Sequence, residues 1–487
     1  MNTACRDNIR KEHRDAIKEI KSDENISIYS FDKGSGFVRI RTEEAIMKIR
    51  EQIGPTKILN SDPTHSITQT VKNILKDLNK KKRFTKKEYE DIYPSDPIPP
   101  RMYGTIKAHK PSKNYPMRIV VSTIGTVTYG ISEYLVKLIQ PILNKNRTRL
   151  KNSISFVKEA SNWAIDKDEI QVSYDVINLY PSIPLKEATT VILDIIKEDP
   201  ELKANTKLTI MEIKKLIDVC LSKCYFVWNN EIHELEDSGP IGLSLMVVMA
   251  EGFLQYHEKR AINEAIHSIP IINLKSFFRY VDDSHARFDN EEQAETFKVI
   301  LNKQHPKIQY TLDKENDENV LNFLDISIKN NQSGKYEFTI YRKDAITNVQ
   351  GKPNLNHDPR ILKGIFKGFI HRAFTICSSL HIEAELEFFL NVFVENNYKQ
   401  SDLEMIIDEV RIKRNNPVNI ENNEENNAGS IREVNSKIQT ISLPWVPKLS
   451  PKLRKIYKKA GYKVVFKSYN NLQQILTSKN KTKLPKK

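Results

Sequence analysis

Two apolar runs that each end on acidic residues stand out along the chain. Residues 170–174 predict a strand that stops at Asp175, and residues 277–281 predict a second strand that stops at Asp282 and Asp283. A helix is predicted between them, because apolar residues recur there at helical spacing. Its predicted inner face consists of Met246, Met249, Ala250, Phe253, Leu254 and His257.

The same patterns predict further elements on either side. A proline-punctuated segment, Pro97–Pro116, is followed by a short buried strand over 118–122, and helical spacing returns over 131–142. Residues 414–430 are rich in Asn and Glu and predict a flexible linker. Beyond it, Ser450 and Pro451 are predicted to open a helix as N-cap and first residue, and Gly461 to end it.

Length and composition bound the class of protein. A chain of 487 residues predicts two to four domains. The sequence has no apolar stretch of about 18 residues, so no membrane span is predicted, and the charged N-terminus lacks the apolar run of a signal peptide. The four cysteines are scattered, which favours an intracellular, reducing location. Cys220 and Cys224 are interpreted as core thiols rather than as half of a zinc site.

The positive charge is concentrated at the C-terminus. Of the net charge of +14, residues 444–487 carry thirteen Lys or Arg and no acid, so the rest of the chain is close to neutral. A basic segment of this kind predicts a polyanionic partner, since phosphate contacts release counterions. A solvated tail that only keeps the protein soluble is the alternative, and charge alone does not separate the two.

Asp175, Asp282 and Asp283 are the candidate catalytic residues. Nucleotidyl transfer needs two divalent ions about 3.5–4 Å apart, and magnesium prefers carboxylate oxygens. Asp also ends many strands simply because it suits turns, so either site alone is weak evidence. Two such strand ends separated by a helix are much stronger evidence. Adjacent acids also repel one another unless a cation lies between them.

Longer motifs around these acids resemble a known family. Residues 280–283 (Tyr-Val-Asp-Asp) resemble the signature turn of reverse transcriptases, and residues 174–185 resemble the first catalytic motif of the Penelope-like branch. Further short segments resemble that branch in the same order along the chain. They are residues 32–34, 101–104 with Lys107 and Lys110, 116–118, 321–325, 341–343, 371–373 and 443–447. The similarity runs from about residue 10 to about residue 476.

This resemblance implies an α+β, right-hand polymerase fold, with fingers, a palm built on an antiparallel sheet with helices, and a helical thumb. The implied domains are an N-terminal α/β leader (1–98), the fingers and palm (99–344), the thumb (345–413), an Asn/Glu-rich linker (414–440) and a basic C-terminal segment (441–487). The family usually carries a C-terminal GIY-YIG nuclease. No such motif occurs in the sequence, which leaves three alternatives open: a nuclease-free copy, a truncated copy, or a sequence that stops before that domain.

The resemblance also implies roles for individual residues. Asp175 and Asp282 would bind two Mg²⁺ ions, with Mn²⁺ as the alternative metal, and Asp283 would support them as a further ligand. Arg118 would hold the incoming triphosphate, because a guanidinium forms paired bonds with phosphate. Tyr180 would lie under the sugar and exclude a 2′-hydroxyl. Lys107 or Lys110 would assist Arg118, and Gly242 would belong to the loop behind the nucleotide.

Simpler interpretations stay open for two of these residues. Arg118 can be a strand-start residue that faces solvent, and Tyr180 can be an ordinary packed aromatic residue. The sequence also departs from the family where Leu243 and Ser244 replace a Ser-Pro pair. A further departure is the polar run after Asp283, whose His285 and Arg287 are expected on one solvent-facing side of a strand.

The predicted activity is RNA-directed DNA polymerisation. The expected partners are an RNA template, a DNA primer and deoxynucleoside triphosphates, without a membrane. The expected location is intracellular and nuclear, and no oligomeric state is predicted. The alternatives are a catalytically inactive nucleic-acid-binding remnant and a polymerase that copies DNA or adds untemplated nucleotides.

The basic segment is assigned a supporting role in nucleic-acid binding. Its predicted helix would dock through Leu453, Ile456 and Tyr457 and turn its charges outward. The expected nucleic-acid contacts are Lys452, Arg454, Lys455, Lys458 and Lys459.

Overall fold

The protein combines helix and sheet, with 49% of the residues that the structure describes in helices and 19% in strands. The computed structural model describes residues 10–34, 36–54, 56–108, 110–235, 242–331, 333–343, 347–353, 355, 357–415, 439–467 and 472–477. Most of the predicted linker, at 416–438, lies outside these described residues.

The helices and strands are numbered in chain order. The helices are α1 (Lys11–Ser22), α2 (Thr42–Ile53), α3 (Thr64–Lys80), α4 (Lys86–Ile92), α5 (Tyr129–Leu143), α6 (Ser153–Ala160), α7 (Leu179–Ser182), α8 (Leu185–Glu198), α9 (Leu202–Asn205), α10 (Ile210–Leu221), α11 (Ser244–Ile266), α12 (Glu291–Lys303), α13 (Pro359–Ile376), α14 (Ile382–Glu395), α15 (Gln400–Asn415), α16 (Ser450–Lys459) and α17 (Leu472–Thr477). The strands are β1 (Ile26–Ser30), β2 (Phe37–Arg41), β3 (Lys57–Ile58), β4 (Arg101–Ile106), β5 (Met117–Ser122), β6 (Ile170–Val176), β7 (Cys224–Trp228), β8 (Glu231–Leu235), β9 (Ser276–Tyr280), β10 (Asp283–Phe288), β11 (Tyr310–Lys314), β12 (Val320–Phe323), β13 (Ile326–Asn330), β14 (Tyr336–Ile340), β15 (Thr440–Leu443) and β16 (Lys463–Phe466).

The chain forms two compact units. The larger is Glu43–Glu337, and the smaller joins the residues up to Thr42 with those from Phe338 onward. The two units are described separately below. The domain boundaries inferred from the sequence stay predictions.

A four-stranded antiparallel sheet in the order β11-β6-β10-β9 forms the centre of the larger unit. Side chains alternate between its faces, as the pleat of a strand requires. On β6, Val172, Tyr174 and Val176 face the main core, which also contains buried residues of α5, α8, α11 and α12. The Tyr174 hydroxyl donates to the carbonyl of Ala294 on α12 at 2.8 Å. This face therefore anchors the strand that carries Asp175.

The opposite face of this sheet is also covered, which corrects the expectation for the polar run after Asp283. His285 is fully buried against the rings of Phe156 and Phe323 at 4.8 and 5.5 Å. Arg287 is 5% exposed, and its guanidinium donates twice to the Glu169 carboxylate at 2.6 and 2.9 Å. These two residues do share one side of β10, but the side is interior. A polar sequence pattern does not reveal which neighbours will cover it.

A second sheet of the larger unit has the order β3-β8-β7-β4-β5. Its edge hairpin, β4 with β5, includes the predicted strand at 118–122, and Thr105 pairs directly with Arg118. The strands β12, β13 and β14 form a third, three-stranded sheet.

In the smaller unit, the helices α13, α14 and α15 enclose a core of their own. Its buried residues include Phe366, Ile370, Phe389, Phe393 and Ile407. Further along the chain, β15 and β16 pair in parallel and α16 connects them.

The predicted helix at the basic segment exists as α16, but two details of the prediction were wrong. The N-cap is Leu449 rather than Ser450, whose buried hydroxyl instead accepts a bond from the Val446 N–H at 2.7 Å. Ile456 does not dock the helix, because its side chain is 61% exposed. Gly461 follows the helix with φ of 81°, as a helix end of this kind favours.

No helix among the described residues is long and apolar enough to cross a membrane.

Candidate active site

Two of the three candidate acids face each other across neighbouring strands. Asp283 on β10 is the direct partner of Asp175 on β6 in the antiparallel register. Directly opposed residues of such strands have Cα atoms about 4.5–5.5 Å apart and side chains on the same face. The Asp282 carbonyl accepts a bond from the Val176 N–H at 3.0 Å, so the third acid lies at the same end of the sheet.

Asp282 lies in the tight turn between β9 and β10. Tyr280 and Asp283 are paired, so Val281 and Asp282 alone form the loop. Val281 has φ of 59°, a conformation that is rare for a β-branched residue and costs of order 1–3 kcal/mol. Such strain persists only where the surroundings determine the backbone conformation. One contact that holds this conformation is made by the Val281 carbonyl, which accepts a hydrogen bond from Arg279 Nη1 at 2.9 Å.

Arg279 belongs to a buried cluster of charges behind the turn. It is 1% exposed, and its guanidinium donates to Glu251 at 3.0 and 3.1 Å and to Glu258 at 2.6 Å. Burial raises the pKa of Glu258, whereas the neighbouring Arg279 charge opposes that rise. Arg149 approaches Glu251 as a second cation at 3.4 Å. The turn therefore rests on a bidentate ion pair inside the core.

Arg118, Lys107 and Lys110 belong to the β4–β5 hairpin. Arg118 is exposed, and Lys107 begins the loop, where its N–H donates to the Pro116 carbonyl at 3.0 Å. The Lys110 N–H donates back to the Lys107 carbonyl at 3.0 Å, so the two lysines share one turn. The hairpin thus holds these three cations close to one another along the backbone.

Tyr180 connects this hairpin electrostatically with the acidic turn. Its side chain is half-buried on α7, directly after β6. Burial raises the pKa of its hydroxyl, the Asp282 and Glu251 carboxylates raise it further, and the Arg118 charge lowers it. Tyr180 therefore interacts electrostatically with both Asp282 and Arg118.

Gly242 packs directly on the strand that carries Arg118. Its φ is 93°, and a Cβ at this position would lie 2.0 Å from the Val121 carbonyl oxygen. The Thr123 hydroxyl also donates to the Gly242 carbonyl at 3.0 Å. Both conformation and space thus require glycine here.

The two residues after Gly242, which depart from the family pattern, have clear structural roles. Leu243 is 2% exposed within the core, and the Ser244 hydroxyl donates to the Glu133 carboxylate. The next residue, Leu245, donates its N–H to the Ser132 hydroxyl at 3.0 Å. These contacts fasten the start of α11 to α5.

Comparison with solved structures gives the class of this fold. The chain is similar to telomerase from Candida albicans in complex with a TWJ fragment of telomeric RNA, with a TM-score of 0.51 and 9% identity over 79% of this chain and 65% of that one. The chain has a polymerase-type fold. Identity this low bears on the fold alone, and the chain spans 65% of the length of that telomerase chain.

Two further polymerases are similar at lower scores. Telomerase from Candida tropicalis gives a TM-score of 0.46 at 11% identity, over 80% of this chain and 66% of that one. The BmCPV RNA-dependent RNA polymerase at elongation state gives 0.38 at 12% identity, over 78% and 32%. The statement on the fold rests on the Candida albicans structure.

Sequence comparisons add one local match. Residues 352–407, which include α13 and α14, match a family model described as an animal helix-turn-helix domain. No curated protein matches the chain.

The donor set of the candidate site suits a hard divalent ion. Carboxylate oxygens are the ligands that Mg²⁺ prefers, and Asp175 and Asp282 are both exposed at the strand ends. In the described part of the chain, no three His, Cys, Asp or Glu side chains are gathered closely enough to hold a metal. The type of these residues and their backbone positions suit a metal, although their side chains are not gathered around one point in this structure. The predicted convergence of their carboxylates stays a prediction.

Sequence reasoning missed the cluster of Arg279, Glu251 and Glu258. A signal was present, because Glu251, Gln255 and Glu258 are spaced by four and three residues on an otherwise apolar helix. That spacing puts them on one face. All three are buried. An acidic stripe within an apolar helix predicts a buried cation, and Arg279 supplies it.

The candidate nucleic-acid-binding residues of the basic segment all lie on α16 of the smaller unit. Lys452, Lys455, Lys458 and Lys459 are exposed. Arg454 differs from them, because its Nη2 donates to Asp358 at 2.6 Å and its guanidinium stacks over the Phe466 ring at 4.6 Å.

Proposed function

We propose that this chain is an RNA-directed DNA polymerase of a retroelement of the Penelope-like type, with the right-hand arrangement of fingers, palm and thumb. The observation that carries the proposal is the direct pairing of Asp283 with Asp175 beside the strained turn that holds Asp282. Paired acids directly opposed on a sheet repel one another, and strain clusters at functional sites. Neither feature stabilises the fold, which favours a catalytic reason for both.

Asp175 and Asp282 are proposed to hold two Mg²⁺ ions, with Asp283 as a supporting ligand. The ions would stabilise the charge on the attacking and leaving oxygens of the nucleotidyl transfer. The protein supplies the carboxylates at fixed strand ends. The Arg279 cluster would keep the turn in place when the charge at the site changes.

Arg118 is proposed to bind the triphosphate of the incoming nucleotide, assisted by Lys107 or Lys110. This assignment is supported by the hairpin that these cations share and by the electrostatic interaction of Arg118 with Tyr180. Tyr180 is proposed to contact the sugar and to exclude a 2′-hydroxyl. Gly242 would keep the loop behind the nucleotide pressed against β5.

The proposed substrates are an RNA template, a DNA primer and deoxynucleoside triphosphates. The four exposed lysines of α16 are proposed to contact phosphates, which carry no sequence information. Such contacts would add affinity for any template and make that affinity depend on salt.

Primer extension is the decisive test. The purified chain, with a DNA primer annealed to an RNA template, Mg²⁺ and deoxynucleotides, should extend the primer, and Asp282→Asn should not. The matched control is Asp289→Asn, an acid six residues beyond Asp283 whose carboxylate pairs with Lys275. Extension that survives Asp282→Asn would point to a contaminating enzyme or another site.

The same assay separates the alternatives. Equal extension on DNA templates, or extension without a template, would identify a different polymerase class. Template binding without extension would identify an inactive nucleic-acid-binding remnant. Tyr180→Ala should admit ribonucleotides while Tyr180→Phe should not, because phenylalanine keeps the ring that blocks the 2′-hydroxyl.

A further inference from the structure

A groove of about 460 Å³ lies between the start of α13 and helix α16 in the smaller unit. Apolar surface comes from Trp445 and from two prolines, Pro359 and Pro451. The side chains of Arg360, Lys455 and Lys458 line the same groove. A volume of this order is in the range of small-molecule sites and exceeds the space that one aromatic ring needs.

The groove is held open by contacts that do not use the ammonium groups of Lys455 and Lys458. Asp358 caps α13 by accepting the Arg360 N–H at 3.1 Å, and its other oxygen accepts from Arg454 at 2.6 Å. Asp358 is 5% exposed, so this ion pair is largely protected from solvent. Phe466 packs against Arg454, and its ring meets the Trp445 ring edge-to-face with centroids 5.1 Å apart. Trp445 and α16 are therefore fixed relative to α13.

The groove carries an excess of positive charge. Asp358 is its single acid among the lining residues, and both Arg454 and Arg360 pair with it. Lys455 and Lys458 are exposed, and among the described residues neither of their side-chain ammonium groups forms a hydrogen bond or an ion pair. A groove that combines an aromatic ring with two ammonium groups matches an aromatic ligand that also carries negative charge.

We propose that this groove binds an unpaired base of single-stranded RNA. The half-buried indole of Trp445 stacks on the base, and Lys455 and Lys458 contact the phosphates on either side of it. Stacking of this kind tolerates any base, because every base has an aromatic face. The choice of RNA rests on the proposed function, in which an unpaired RNA template is the single strand that reaches the protein.

Equilibrium binding of a labelled single-stranded RNA 12-mer to the full chain tests the groove without any catalysis. The measurement uses no Mg²⁺ and no nucleotides, so it does not depend on the polymerase activity. Trp445→Leu should weaken binding about tenfold, since stacking on an aromatic side chain is lost. Trp445→Phe should weaken it by no more than about threefold, because a smaller ring still stacks.

An oligonucleotide of the same length without bases provides the sharpest control. It keeps every phosphate, so Trp445→Leu should leave its affinity unchanged. Lys455→Gln/Lys458→Gln should weaken binding of both strands and lower the log–log salt slope by about 1.4. The matched pair, Lys452→Gln/Lys459→Gln, removes equal charge from the same helix outside the groove. Each pair is then combined with Trp445→Leu. The change in the free energy of RNA binding should be non-additive for Lys455→Gln/Lys458→Gln and additive for Lys452→Gln/Lys459→Gln.

A second measurement on the unaltered chain covers the possibility that Trp445→Leu disturbs packing. Single-stranded RNA substituted with 5-iodouracil should cross-link on irradiation to the peptide that contains Trp445. Absence of that cross-link, or equal loss of affinity for normal and base-free strands, would overturn the proposal. A Trp445 effect confined to single-stranded DNA would overturn the assignment to RNA. A chain that fails to extend primers but shows the Trp445 effect would refute the proposed polymerase activity alone.

Discussion

The candidate active site and the basic helix α16 both depend on charge, but they hold it differently. At the active site, acids are fixed on paired strands, and a fully enclosed Arg279–Glu251 pair lies behind them. On α16, Lys452, Lys455 and Lys458 extend into solvent. Charges placed by buried contacts should respond sharply to single substitutions, whereas solvated charges should contribute in small, nearly additive steps.

The largest effect is expected from Asp175→Asn, which keeps the shape of the side chain and removes its charge. Extension should fall by about 10³-fold or more, because several kcal/mol of transition-state stabilisation depend on the metal ligands. Stability without metal should rise slightly, because the repulsion from Asp283 is lost. Thermal unfolding with and without Mg²⁺ checks this, since Mg²⁺ should stabilise the unaltered chain and not the variant. Equal stabilisation of both would mean that Mg²⁺ binds elsewhere.

Arg279→Met should give the largest loss of stability. It leaves Glu251 and Glu258 buried without their main cation, at a cost of about 3–5 kcal/mol. Denaturant unfolding measures this free energy. The triple variant Arg279→Met/Glu251→Gln/Glu258→Leu should regain most of it, because both buried carboxylate charges are removed together with their main cation. If the triple variant were as unstable as the single one, packing rather than charge would be the cause.

Substitution of two glycines, Gly242 and Gly461, tests the contact between the loop at Gly242 and the β4–β5 hairpin. Gly242→Ala should cost more than Gly461→Ala, although both residues have positive φ. The Cβ at 242 collides with the Val121 carbonyl, while nothing lies within 4 Å of one at 461. We expect about 1 kcal/mol at 461 and at least about 2 kcal/mol at 242. The KM for nucleotides should rise in Gly242→Ala alone, and unchanged nucleotide kinetics would separate this loop from the site.

Acidification should affect the core of the larger unit before it affects α16, whose lysines keep their charge. Burial lowers the pKa of His257 to about 4, helped by His305 and Arg260 and opposed by Glu187. The neutral imidazole is therefore favoured in the folded protein. The stability it contributes is complete above the unfolded pKa near 6.5 and is lost as pH falls from 6.5 towards 4.

The matched variant is His257→Phe, which fills the site without titrating. Its stability should fall less between pH 7 and pH 5 than that of the unaltered chain, as measured by denaturant unfolding at each pH. Parallel curves would show that His257 contributes nothing to the acid sensitivity.

The smallest effect on stability is expected when Lys452, Lys455, Lys458 and Lys459 are all replaced by Gln. Exposed lysines of this kind change the free energy of unfolding by no more than about 0.5 kcal/mol each. The salt slope of template binding should nevertheless fall by about 3, if each lysine neutralises one phosphate. An unchanged slope would mean that α16 does not contact nucleic acid. The solvated charges of α16 would then contribute nothing to binding.

The elements near the acids were predictable because local sequence determines them. Apolar residues alternate along β6 up to Asp175, and the turn at Asp282 is signalled by the paired acids that follow a strand. These features depend on residues close together in the chain.

The missed features depend on residues far apart. Arg279 meets Glu251 across 28 positions, and Arg454 meets Asp358 across 96. The burial of His285 requires Phe156 and Phe323, which come from other segments. A single sequence shows that such residues are polar, but it does not show what will cover them. The groove at Trp445 could not be foreseen for the same reason.

The left-handed conformation of Val281 has a practical consequence for protein engineering. Glycine or asparagine at this position would relieve about 1–2 kcal/mol of backbone strain. A selection for heat resistance would therefore enrich those two replacements. Either of them would also loosen the loop that presents Asp282. Libraries intended to make a more robust enzyme should keep position 281 fixed and seek stability elsewhere.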